Sequence, residues 1–270
     1  MASAPTVSEL LADLADEQHD LDSLVDPLDE GGWGRSTPAE GWAIRDQISH
    51  LAFFDEAAAS AITDPDGFSD AARRAMESAV TGTDPMAEHL ERGRSMSGAE
   101  VLAWWRRARK DLLAVAAGLS PGQRVPWFGP AMSPASFLSA RLMETWAHGQ
   151  DVADSLGVTR RPTGRLVHVA QLGVRARPFS FAVRGLEPPP GMVTVDLVGP
   201  DGERWVWDED GGSAWVRGSA LDFCLVVTQR RHLSDTGLVV EGDAARRWMA
   251  VAQAFAGQPG PGRAPSSSSA

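Results

Sequence analysis

Cysteine is almost absent from this 270-residue chain, in which Cys224 stands alone. No intrachain disulfide can form and no cysteine-rich metal cluster can be assembled, so any thiol chemistry must use a thiol supplied from outside. Lysine is as scarce, Lys110 being the single one among 25 basic residues. Nearly all positive charge is therefore guanidinium, which by itself locates no site. Positive charge as a whole also falls short, because 36 acidic residues leave a formal net charge of -11. With no basic stripe to neutralise phosphates, a nucleic-acid partner is not expected, and an anionic membrane surface is disfavoured likewise. No apolar run approaches the roughly 18 residues of a membrane span. The first residues, Met1-Ala2-Ser3-Ala4-Pro5-Thr6, offer neither basic charge nor an apolar core of secretory length. A soluble cytoplasmic protein is expected, as a monomer or a homodimer.

What is present is a large apolar share, 43% of the residues, ample for a core. The length exceeds one compact core, and two domains of unequal size are expected. Val7, Leu10, Leu11, Leu14, Leu21, Leu24 and Val25 recur at helical spacing and predict a helix over 7–28. His19 lies on it, as a surface histidine or, alternatively, a further ligand. Gly31-Gly32-Trp33-Gly34 and 37–41 read as turns. A second helix is expected over about 43–62, with Ile44, Ile48, Leu51 and Phe54 as its apolar stripe and His50 beside it. Asp46 is placed to cap its first turn, or else to contact the imidazole.

Residues 64–97 are polar and read as a loop region with one or two short helices, a candidate lid. His89, Arg92 and Arg94 there would meet an anionic substrate, or would simply be solvated. Ser97-Gly98-Ala99-Glu100 has the form of a capping box and opens a helix to about residue 119. Trp127 and Phe128 follow in an apolar loop, as a pocket wall or as packing over the bundle end. Ser133-Pro134 opens the fourth long helix and Gly157 ends it. Beyond residue 158 the character changes. One helix over 163–183 precedes period-two strands at 192–198, 204–208 and 214–217, with Asp201-Gly202 as a hairpin turn. A helix over 219–231, a short strand at 238–240 and a helix over 243–256 complete an α+β unit. The tail 257–270, with four consecutive serines, is expected to be disordered.

Three residues in two stretches point to chemistry. Glu144 and His148 are four apart in a helical stretch, so both project from one face and can close on one ion. Met143, Trp146 and Ala147 surround them, and a buried unpaired carboxylate would be costly. His50 completes a set of one carboxylate and two imidazoles. Such a set leaves a divalent first-row metal with an open position for water or substrate, as catalytic sites have.

Gly41-Trp42-x-x-x-Asp46-x-x-x-His50-Leu51 with Arg141-x-x-Glu144-x-x-x-His148-x-x-Asp151 resembles the mycothiol-dependent maleylpyruvate isomerase family within the DinB-like metal enzymes. Residues 6–158 resemble its DinB-like four-helix bundle. Residues 160–256, with Val216-Arg217-Gly218-Ser219-Ala220 and Val239-Val240-Glu241-Gly242-Asp243, resemble its smaller sterol-carrier-like α+β domain. The resemblance implies zinc on His50, Glu144 and His148, and mycothiol as a co-substrate whose thiol takes the open position. It also implies an active-site arginine from the C-terminal domain, at Arg230 or Arg231. Two departures stand out: Ala43 replaces a small capping hydroxyl, and 64–97 carries no matching motif.

Three functions compete on this basis. In the first, metal-bound mycothiol attacks a small electrophilic metabolite, to isomerise it or to be transferred onto it, with an arginine pairing a substrate carboxylate. In the second, water replaces the thiol in a hydrolase or lyase, with Asp151 as general base, although a capping role for Asp151 is the simpler one. In the third, the C-terminal domain binds an apolar ligand without catalysis. Zinc is the expected metal, and the donor set also suits nickel, cobalt or ferrous iron.

Overall fold

The computed structural model describes residues 5–80, 87–208 and 213–266; residues 81–86 of the expected loop region and the last serines of the tail lie outside them. It is an α+β protein, rich in helix with one small mixed sheet, and its contacts separate two compact units, Met1–Thr159 and Arg160–Ala270.

The first unit contains α1 (Val7–Val25), α2 (Glu30–Trp33), α3 (Ile44–Thr63), α4 (Pro65–Val80), α5 (Ala87–Arg94), α6 (Gly98–Ala116) and α7 (Pro134–Leu156). Helix α1 packs on α6 and α7, and α3 packs on the same two, so the four long helices close a ring. Leu21, Ile44, Ile48, Leu51, Trp104 and Trp105 fill it. Each such side chain contributes about 1.5–3 kcal/mol on burial, so apolar packing carries the bundle and the polar groups inside it must find partners.

Helix ends follow local chemistry. Thr6 and Glu9 form a capping box on α1, and Ser97 with Glu100 forms the expected one on α6. Ser133 caps α7, Pro134 occupies its first turn, and Gly157 stops it in the left-handed region at φ 70°. Ala43 at the start of α3 has no side chain with which to cap. Half of a box survives there, because the Asp46 carboxylate accepts the Ala43 N–H at 2.8 Å.

Within 64–97, the described residues 65–80 and 87–94 are helical, more than their composition suggests. Asp64 accepts the Gly67 N–H and Pro65 takes the first position, so Asp64-Pro65-Asp66-Gly67 starts the 16-residue helix α4 rather than a loop. Of its described side chains, Phe68 and Ala72 are buried, which leaves little apolar periodicity to read there. Helix α2 was also hidden in glycines: Asp29 caps it by accepting the Gly32 N–H.

The second unit comprises α8 (Leu166–Arg175), α9 (Arg177–Ala182), β1 (Thr194–Val198), β2 (Arg204–Trp207), β3 (Trp215–Ser219), α10 (Ala220–Val227), β4 (Val239–Glu241) and α11 (Asp243–Met249). The sheet order is β2-β1-β3-β4, with β1 and β3 parallel and the outer pairs antiparallel. Val195 and Leu197 on β1 are buried, as the period-two pattern requires. Gly202 makes the hairpin turn at φ 85°. The single helix expected over 163–183 is two, because Pro178 cannot donate to the helical ladder. The last helix stops at Met249 rather than 256. Beyond it the backbone bonds elsewhere: Ala254 N–H donates to Val227, Gln253 N–H to Ser180 Oγ, and Ala252 C=O accepts from Gln229.

Candidate metal centre

Helices α3 and α7 carry the centre. Their relative register is held by a buried ion pair, in which the Arg141 guanidinium donates to Asp55 Oδ1 at 2.8 and 3.2 Å. Trp105 Nε1–H donates to the other oxygen at 3.2 Å. Asp55 is fully buried and Arg141 nearly so. Burial pushes the Asp55 carboxyl up, and the Arg141 charge and hydrogen bonds work against it. Asp55 lies five residues after His50 and Arg141 three before Glu144, so this pair fixes how the two helices present His50 and Glu144 to each other.

His50, Glu144 and His148 come together as the sequence predicts: one ligand atom from each lies within 4.8 Å of the other two. Glu144 Oε2 is 3.2 Å from His148 Nε2, and the two imidazole centroids are 4.5 Å apart. Met143, Trp146 and Ala147 are buried around the pair. The ring of Trp42 stacks on His148 at 6.0 Å and 14° and reaches His50 at 5.3 Å.

His148 Nδ1 faces Gln47 Oε1, and Gln47 Nε2 in turn donates to Thr37 Oγ1 at 2.9 Å. An amide oxygen only accepts, so this contact puts the imidazole proton on Nδ1 and leaves the Nε2 lone pair toward Glu144. Gln47 is buried on α3, one turn before His50. Its partner is 101 residues away in the chain, so no spacing within one helix could reveal it.

The other expected site residues divide. Asp46 caps α3 and is paired with Arg94, whose Nε donates to it at 2.8 Å, which leaves Arg94 bound to structure rather than facing a substrate. Arg92 pairs with Glu56 and lies over the Trp104 ring at 3.8 Å. His89, expected among exposed charges, is buried against His50. His19 is exposed on α1 and is not part of the converging group. Asp151 is buried one turn beyond His148 and also stands outside that group. Arg230 and Arg231 follow the end of α10 in the second unit, just after Gln229, whose φ of 60° ends the helix.

Trp127 and Phe128 sit in a loop pinned by mutual backbone bonds between Val125 and Met132. With Ala72 and Met76 of α4 they border a cleft of about 610 Å³. Phe54 joins this wall to the centre, 4.6 Å from His50 and 5.8 Å from Phe128. Cys224 is fully buried, its thiol donates to the Leu166 carbonyl, and burial pushes its pKa far up, so it supplies no thiolate. Among the described residues no helix is long and apolar enough to cross a membrane.

A protein of Mycobacterium tuberculosis described as uncharacterized, found in strains CDC 1551 / Oshkosh and ATCC 25618 / H37Rv, is 46% identical over 257 residues, covering 94% of this chain and 97% of its own. A crystal structure of the mycothiol-dependent maleylpyruvate isomerase shares the fold at a TM-score of 0.60 and 15% identity, over 89% of this chain and 95% of that one. A histidine-to-alanine mutant of that isomerase matches with the same TM-score and coverage at 16% identity. The model of the mycothiol maleylpyruvate isomerase N-terminal domain matches residues 14–153, the span that contains His50, Glu144 and His148, and the chain belongs to that family.

Proposed function

We propose that the protein is a mycothiol-dependent enzyme that holds a divalent first-row metal, zinc in the first instance, on His50, Glu144 and His148. The convergence of these three ligand atoms within 4.8 Å carries the reading. The donor set fits such an ion: two imidazole nitrogens and one carboxylate leave an open position. A bound metal would lower the pKa of a thiol placed there and so supply a thiolate near neutral pH. One carboxylate against a dication leaves a single positive charge, which a thiolate neutralises. That thiol comes from outside the chain, since Cys224 is buried in the second unit.

The residues of the chain have separate tasks. Gln47 orients His148 through Nδ1. Trp42 and Phe54 cover the imidazoles and keep water from their faces. Trp127 and Phe128 hold the body of the thiol co-substrate at the cleft they border. Arg230, or Arg231, pairs with a carboxylate of the small electrophile, for which a guanidinium offers two parallel donors. The reaction is isomerisation of an unsaturated acid or transfer of the thiol onto it, in the cytoplasm, and maleylpyruvate is the first substrate to try.

The test is metal analysis of the purified protein together with turnover of maleylpyruvate, with and without mycothiol. One metal per chain and strictly thiol-dependent turnover are expected. Glu144→Ala should lose the metal and lower turnover by on the order of a hundredfold or more, with helical circular dichroism retained. Arg230→Ala or Arg231→Ala should lower turnover at unchanged metal content. Thiol-independent turnover, or a wild-type protein that binds no metal, would overturn the reading.

A further inference from the structure

The excursion between α3 and α6 has a purpose that its polar composition hides. Helix α5 docks on α3 at positions that bracket His50. Arg94 pairs with Asp46 at 2.8 Å, and Arg92 pairs with Glu56 at 3.3 Å. Between them Gly93 lies against Ser49 so closely that a Cβ there would stand 2.4 Å from Ser49 Cβ. About one turn before these anchors on α5, His89 is buried, its ring stacked on Phe53 at 4.9 Å and 19°. Its Nε2 is 3.3 Å from His50 Nδ1. It does not belong to the group whose ligand atoms converge, so it stands behind His50 rather than beside Glu144 and His148.

We infer that His89 is a positioning residue for the metal centre, accepting the Nδ1–H of His50 at Nε2 and thereby presenting His50 Nε2 to the ion. This rests on the metal-binding reading of the previous subsection. A neutral imidazole carries one proton, and a metal needs the lone pair of the nitrogen that lacks it. An acceptor on the far nitrogen fixes that choice and the ring's orientation together. Gln47 performs this service for His148, and His89 performs it for His50. Helix α5 is then a strap clamped on α3, and the Gly93 approach and the Arg94 pair are what hold the acceptor in reach.

The experiment compares wild type, His89→Gln and His89→Phe as full-length protein. Zinc and cobalt(II) dissociation constants are measured by chelator competition, and the ¹⁵N shifts of the imidazoles are recorded on the zinc-loaded wild type. Removal of such a partner weakens metal affinity about 10–100-fold, which is expected for His89→Phe. His89→Gln, whose amide oxygen can take the place of Nε2, should recover most of that loss. In the wild-type spectrum the His50 proton should reside on Nδ1. Equal affinities in wild type and His89→Phe, or a His50 proton on Nε2, overturn the role of His89. The spectrum decides the matter even if a variant fails to fold. A wild-type protein without metal affinity would instead refute the centre itself.

Discussion

Truncation of Asp55 tests whether the buried ion pair holds together the two helices that carry His50, Glu144 and His148. In Asp55→Ala the Arg141 guanidinium loses both its hydrogen bonds, at 2.8 and 3.2 Å, and Trp105 Nε1–H loses its acceptor. With Arg141 only 3% exposed in its side chain, water cannot take over without opening the helix interface. Leaving one buried charge without its partner costs about 3–5 kcal/mol. For a folding unit of this size each kcal/mol lowers the melting temperature by about 2–4 °C, so a fall of about 6–20 °C is expected. Urea unfolding followed by tryptophan fluorescence checks it, because Trp105 itself reports on the site. The double variant Asp55→Leu/Arg141→Met removes both charges and should recover most of the loss, since a buried pair exchanged for apolar groups is close to neutral. Zinc affinity should fall in the single variant and return in the double. A loss under about 1 kcal/mol in Asp55→Ala, the size of an exposed pair, would refute the reasoning.

Gln47→Leu keeps the side-chain volume and removes the acceptor from His148; metal affinity is expected to fall about 10–100-fold, as read by chelator competition, with little change in metal-free stability. Acid stability depends on Asp22, which joins α1 to α6 through Arg106 and Arg109. Burial acts to raise its pKa, but the hydrogen bonds and charges of the two arginines outweigh it and hold the carboxyl below the ordinary 3.8. A depressed folded pKa stabilises the fold above the unfolded value, and that contribution is lost as the pH falls through the folded one. The stability difference between wild type and Asp22→Asn should therefore be full above about pH 5 and close as the pH drops below 3.8, in urea titrations at stepped pH.

Helix periodicity, the Ser97 and Ser133 caps, the Gly157 stop and the alternation of β1 are all local, and the sequence alone determined them. The physical reason is that each is decided by neighbours within one turn or one strand. The convergence of His50, Glu144 and His148 was legible for a related reason: Glu144 and His148 are a one-helix spacing, and His50 belongs to a motif that family resemblance identifies. The α4 cap was legible in principle at Asp64-Pro65, but surrounding polar residues outweighed it. Only the tertiary structure decided the rest. Gln47 with His148, His89 with His50, and Asp55 with Arg141 lie 101, 39 and 86 residues apart, and their pairing depends on how α3, α5 and α7 pack. The early end of α11 is of the same kind, because Ser180, Val227 and Gln229 take the backbone bonds that further helix would have used.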